Sequence, residues 1–141
     1  MYQSLLVPVD GSQHSRKALQ VAARLIDGAQ GRLHVINVRE IGGDLLGRAA
    51  GTRMTLDDEG HAEGERLIDG CLNVIETGDA QVNRIVKAGA AADTIRDEAE
   101  AQGVDAIVIG SRGAGNLSRL VLGSVAYSVL HGAAGGVILV R

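Results

Sequence analysis

Five short apolar runs divide the chain, at residues 4–9, 33–38, 82–86, 106–109 and 137–140. The first, fourth and fifth are almost continuously apolar, as in strands covered by helices on both faces. Between them, apolar residues recur three and four positions apart, which is the helical period. Ala18, Leu19, Ala22, Leu25 and Ile26 make one stripe, and Gly64, Leu67, Ile68, Cys71, Leu72 and Ile75 make a second. Ile95, Ala99 and Ala101 sit in a third, and residues 125–130 form a last helical stretch. Ser12 is placed to cap the first helix, with Gly28 or Gly31 to end it. Asp93 or Thr94 falls in the first turn of the third helix, and Gly103 closes it. Strands alternating with helices of this length predict βαβ units, right-handed crossovers and a parallel sheet within one α/β domain over residues 1–141.

Segment 40–55 breaks the alternation. Gly42, Gly43, Gly47 and Gly51 interrupt any period, and Leu45-Leu46 is its one apolar pair. A connection this long is either a functional lid or disordered, and the pattern leaves both open.

Composition narrows the class. The 141 residues include no Trp or Phe and only Tyr2 and Tyr127, so Val, Ile, Leu and Ala must fill the core. Twenty glycines are about twice the ordinary ~7%, without a collagen-like period. A formal charge of −3 argues against nucleic acid as the main partner, which usually meets a basic stripe. No window approaches the ~20 apolar residues of a membrane span. The chain opens directly into a strand pattern, so a cytoplasmic protein is expected. Cys71, the sole cysteine, lies on an apolar stripe and reads as a buried thiol. The four histidines lie on separate elements with no i, i+4 pair, which rejects a zinc site.

The chemistry concentrates after the fourth run. Gly110-Ser111-Arg112-Gly113, nine further residues and Gly123-Ser124 join a strand to a helix. Glycines let backbone N–H groups approach a phosphate closely, and a helix start favours its charge. A Walker loop would need a lysine before the hydroxyl, but Leu122 and Val125 flank Gly123-Ser124. A Rossmann fingerprint would follow the first strand, which instead runs into Asp10-Gly11-Ser12. The third run leads to Lys87-Ala88-Gly89, without the aspartate of a phospho-receiver.

What remains resembles the universal stress protein family along nearly the whole chain. Leu5-Leu6-Val7-Pro8-Val9-Asp10-Gly11-Ser12 looks like its opening strand and turn. Gly110-x2-Gly113-x9-Gly123-Ser124 matches its nucleotide signature, and Val137-Ile138-Leu139-Val140-Arg141 looks like its last strand. The resemblance implies a doubly wound, five-stranded parallel sheet of order 3-2-1-4-5 with helices on both faces. It also implies ATP (or ADP or AMP) at the strand ends, with Mg2+, and a homodimer through residues 137–141. The role implied is stress or metabolic signalling. Because the motif offers no evident base, no lysine clamp and no firm carboxylate pair, the expectation is nucleotide-dependent signalling to an unidentified protein partner without efficient catalysis. A slow ATP hydrolase or nucleotidyl-transfer enzyme of the same fold is the alternative. The family often carries a Pro-Cys-Pro-like turn before the last strand, where this chain has Ala134-Gly135-Gly136.

On that resemblance, Gly113 and Gly123 bring backbone against ribose and phosphates, while Ser124 and the Val125 N–H donate. Gly110 either binds directly or permits a tight strand exit. Asp10 stands where doubly wound sheets hold ligands, or else caps the first helix. Pro8 and Val9 are expected in the pocket wall, with Val38 against the adenine; all three also suit a plain core. Arg112, Arg119, Ser111 and Asn116 flank the loop, and loop arginines are more often solvated than phosphate-bound.

Overall fold

A computed structural model of the protein describes residues 2–40, 56–112 and 122–141. Strands β1 (Ser4–Pro8), β2 (Arg32–Arg39), β3 (Gln81–Ala88), β4 (Ala106–Gly110) and β5 (Gly136–Val140) form one sheet of order β3-β2-β1-β4-β5. Every pair is parallel, with Val7 opposite Val35, Leu5 opposite Ala106 and Gly110 opposite Val140. Among the described residues the helices are α1 (Gln13–Leu25), α2 (Asp58–Leu72), α3 (Ala91–Gln102) and α4 (Ser124–Gly132).

Because successive strand side chains face opposite ways, each central strand feeds two cores. Leu5, Val7, Leu33, Val35, Ala106 and Val108 pack with Ala18, Leu19 and Ala22 of α1 and with Ile68 and Cys71 of α2. Leu6, Ile36, Ile107 and Ile109 pack with Ile95 of α3 and with Ala126 and Val129 of α4. Burying such aliphatic side chains stabilises by roughly 1.5–3 kcal/mol each, so two aliphatic layers do the work that aromatic residues do elsewhere. Gly64 lets α2 close on the sheet, since a β-carbon there would stand 2.4 Å from Val86.

Several boundaries differ from the sequence expectation. α1 ends at Leu25, before Gly28 and Gly31, because the chain there turns to pair Ile26 with Tyr2. The Tyr2 N–H donates to Leu25 and the Asp27 N–H to Tyr2, contacts with no local sequence signal. β3 extends beyond 82–86 at both ends, and Ile75 lies past the end of α2 while still packing on its core. Ala101 is exposed, and the third stripe continues instead through the buried carboxylate of Glu98. Ser12 caps α1, accepting from the Ser15 N–H at 3.2 Å, and Gly103 ends α3 in the left-handed region at φ 62°. Segment 41–55 lies outside the described residues.

Polar groups enter the second core beneath α3. Buried His34 meets the Asn83 amide at 3.0 Å. Burial, aided by Arg32, holds its imidazole below the ordinary value, while Glu98 pulls the other way. Burial pushes the Glu98 carboxyl up, but hydrogen bonds from Gln102 and Lys87 and the Lys87 charge outweigh it, leaving it below the usual range. Lys87 Nζ stands 3.1 Å from Glu98 Oε2.

Candidate functional site

The strand order reverses between β1 and β4: β1 leads outward to β2 on one side, and β4 to β5 on the other. Above that reversal the connections diverge and leave a crevice at the carboxyl ends of the strands, the usual ligand position of open α/β sheets. A cavity of about 350 Å³ occupies it, within the range of small-molecule sites. Pro8, Val9 and Asp10 line it from the exit of β1, Val38 from β2, and Gly110 and Arg112 from the exit of β4. Gly123, Ser124 and Val125 line it from the start of α4. These expected site residues therefore converge from four separate stretches of chain. Gly113 lies outside the described residues, as do Asn116 and Arg119.

The turn after β1 is held from several directions. The Val9 N–H donates to the Ile36 carbonyl at 2.8 Å, and the Val9 carbonyl accepts from Asn37 Nδ2 at 2.8 Å. Asp10 Oδ1 accepts the Ser12 N–H at 2.9 Å, closing an Asx turn. The Asp10 N–H donates to Ser15 Oγ at 3.3 Å. Ser12, rather than Asp10, is thus the helix cap, and the Asp10 carboxylate is exposed at the cavity rim. Gly11 takes a positive φ of 83° to complete the turn, a conformation cheap only for glycine.

On the far side, the ends of the signature loop are stapled together. The Gly123 N–H donates to Ser111 and the Ser111 N–H to Val140, each at 2.7 Å. Gly123, not Ser124, is the N-cap of α4, and among the described residues no side chain caps that helix. The first-turn N–H groups of α4 therefore lack the side-chain acceptor that α1 has in Ser12, and Gly123 to Ala126 border the cavity. Uncapped helix starts of this kind attract anions.

The universal stress protein family profile matches residues 1–141. A universal stress protein of Bacillus subtilis, YxiE, is 31% identical over the whole of both chains. The chain belongs to the universal stress protein family. The solved structure of hypothetical protein MJ0577 shares the fold at a TM-score of 0.81, with 24% identity over 99% of this chain and 96% of that one. A universal stress protein from Archaeoglobus fulgidus, solved in complex with dAMP, superposes at a TM-score of 0.69, with 25% identity over 99% and 98% of the two chains.

In this family member the cavity also has an apolar wall that the motifs do not reveal. Ile36, Ile95 and Ile109 line it beside Val38, with Ala91 from the start of α3 and Ala126 from α4. Ile95 was visible as a helical stripe residue but carried no sign of facing a ligand. Asn37 was the available signal: a polar residue inside an apolar run, buried to 4% exposure at the cavity wall. Gly110 is confined on its other side by α1, so close approach alone requires glycine there. Cys71 is buried, burial pushes its thiol up, and it does not border the cavity.

The wall and the rim differ in chemistry. Aliphatic side chains on the β2–α3 side suit the faces of a planar base, whereas backbone donors and Arg112 on the β4–α4 side suit anionic groups. Among the described residues no cluster of His, Cys, Asp and Glu could by itself hold a metal ion. No helix among them is long and apolar enough to cross a membrane.

Proposed function

We propose that the protein binds ATP in this crevice and acts as a nucleotide-dependent regulator in stress signalling, without efficient turnover. The observation that carries this reading is the juxtaposition, around one cavity, of the uncapped α4 start and an aliphatic wall on β2 and α3. The base would lie against Val38, Ile36 and Ile95, and the phosphates would take N–H groups from Ser124, Val125 and Ala126 together with the Ser124 hydroxyl. The solved dAMP complex of a relative supports an adenine nucleotide as the ligand.

Mg2+ fits the residues present only as a companion of the phosphates. Asp10 offers one carboxylate at the rim, and Mg2+ usually takes one or two carboxylates plus phosphate oxygens. The ion would neutralise phosphate charge there. Among the described residues Arg112 is the one cation lining the cavity, whereas efficient phosphoryl transfer needs several positioned charges and an oriented nucleophile. Binding therefore reports nucleotide state, and a partner protein reads the resulting surface. β5, an apolar sheet edge, is proposed to pair two copies into a homodimer.

Titration calorimetry with ATP, ADP and AMP, each with and without Mg2+, tests the reading. ATP at ~100 times its Kd should stabilise the fold by about 2.7 kcal/mol in a thermal melt. No heat and no shift with any of the three nucleotides would end it. Phosphate release abolished by Asp10→Asn at unchanged ATP affinity would favour the slow-hydrolase alternative.

A further inference from the structure

We infer that Asn37 is the positioning residue of the site: its amide sets the Val9 main chain and, through it, the Asp10 carboxylate at the cavity rim. This inference rests on the adenine-nucleotide reading above. Asn37 is the next-to-last apolar-run residue of β2, buried to 4% exposure, and its Nδ2 donates to the Val9 carbonyl at 2.8 Å. The neighbouring Ile36 carbonyl accepts the Val9 N–H at 2.8 Å. Two successive β2 residues thus hold both polar groups of the residue that delivers Asp10.

Val9 lies beyond the end of β1, so its carbonyl has left the β1–β2 ladder, which ends at Pro8 opposite Ile36. A buried carbonyl without a donor is costly, and Asn37 is the side chain that supplies one. The amide orientation is itself set by its surroundings. Arg39 Nη1 stands 3.5 Å from Asn37 Oδ1, and Arg39 Nη2 pairs with Glu63 Oε2 on α2 at 2.7 Å. A cation at the oxygen leaves the NH2 group to face Val9. Gly64 leaves room for this arrangement, since a β-carbon there would come within 3.2 Å of Asn37 Oδ1. Asp10 is then fixed on its other side by Ser12 and Ser15. Without Asn37 that turn keeps its local bonds and the Val9 N–H bond to Ile36 but loses the bond that holds the Val9 carbonyl, and the carboxylate shifts relative to Val38 and Ile36.

The test compares Mg-ATP affinity of the parent with that of Asn37→Leu and Asn37→Asp, by calorimetry well below each melting temperature. Asn37→Leu should bind about tenfold more weakly, the equivalent of ~1.4 kcal/mol. Asn37→Asp should be at least as weak at alkaline pH, where a carboxylate opposes the Val9 carbonyl. On acidification its affinity, taken as a ratio to the parent, should climb, because a protonated carboxyl can donate to that carbonyl. The Asn37→Leu ratio should stay flat with pH. If Asn37→Leu does not fold, the pH profile of Asn37→Asp alone decides. Parent-like affinity in both variants, or an Asn37→Asp ratio indifferent to pH, overturns the inference and leaves the binding reading standing. A parent that binds no adenine nucleotide overturns both.

Discussion

A β-carbon on Gly110 would stand 2.8 Å from the carbonyl oxygen of His14. The obstacle is backbone in the first turn of α1, so it cannot rotate aside. The glycine at the head of the nucleotide signature is therefore required by helix–sheet packing before any ligand arrives. Gly110→Ala should destabilise the fold by about 2 kcal/mol through overpacking. Calorimetric melting of the ligand-free protein should fall by roughly 5–8 °C. An unchanged melting temperature would show that α1 has slack at this contact and return the glycine to a purely ligand-directed role.

Two serines at two helix starts should behave oppositely. Ser12 caps α1 through its hydroxyl, and Ser12→Ala should cost about 1 kcal/mol of stability. Its N–H still donates to Asp10 after the change, so ATP affinity should be nearly unaltered. Ser124 is the first residue of α4 and makes no capping bond. Ser124→Ala should therefore leave stability within about 0.5 kcal/mol but weaken ATP binding severalfold. Paired melting and titration of both variants checks this, and a shared pattern of losses would contradict the distinction.

Acid should loosen the α3 side of the sheet in two windows. The His34 imidazole is held below 6.5 in the fold, chiefly by burial. The unfolded chain therefore binds more protons once pH drops below about 6.5, and stability falls as acidification continues. Above that value His34 is neutral in both states and contributes no slope. Glu98 acts lower: its folded carboxyl lies below 4.5, so its contribution is present above that value and is lost as pH falls through the folded one. His34→Gln should flatten the decline in melting temperature between about pH 7 and 5 and only slightly shrink the lower window, because the His34 charge is the smallest of the causes that lower Glu98. An identical slope in that variant would place the acid sensitivity elsewhere.

Most of this architecture could be read from the chain because its centre is buried on both sides. Leu5, Leu6 and Val7 are apolar whichever way they face, so the run announces a strand without alternation. β3 is an edge, and its polar positions Arg84 and Lys87 carry ion pairs to Asp69 and Glu98; Lys87, with Gln81 at the other end, cuts the visible run short of the strand. The end of α1 is not legible locally, because Tyr2, far away in sequence, captures Ile26. At the site the same division holds. Asp10, Gly123 and Ser124 are marked by local turn and cap chemistry. Asn37, Ile36 and Ile109 are not, since their importance comes from partners brought beside them by the crossovers: Val9 is 28 positions from Asn37. Glu98 shows the same limit, for a carboxylate on an apolar stripe makes sense only once Lys87 and Gln102 stand next to it.

The two sheet edges differ in a way that bears on assembly. β3 places Arg84 and Lys87 along its edge, which discourages pairing with another strand. β5 reads Gly-Val-Ile-Leu-Val with no charge or proline, and Leu139 is 39% exposed. Val140 packs partly against the first core, sits opposite Gly110 and accepts the Ser111 N–H, so changing it would disturb the exit of β4 as well. Leu139→Lys is the cleaner probe, because it charges the exposed position and spares the core. Light scattering during size-exclusion chromatography should show a dimeric parent and a monomeric Leu139→Lys protein with an unchanged circular dichroism spectrum. Were the variant to elute as a dimer, pairing would have to use another surface, and the unguarded edge would need a different cover.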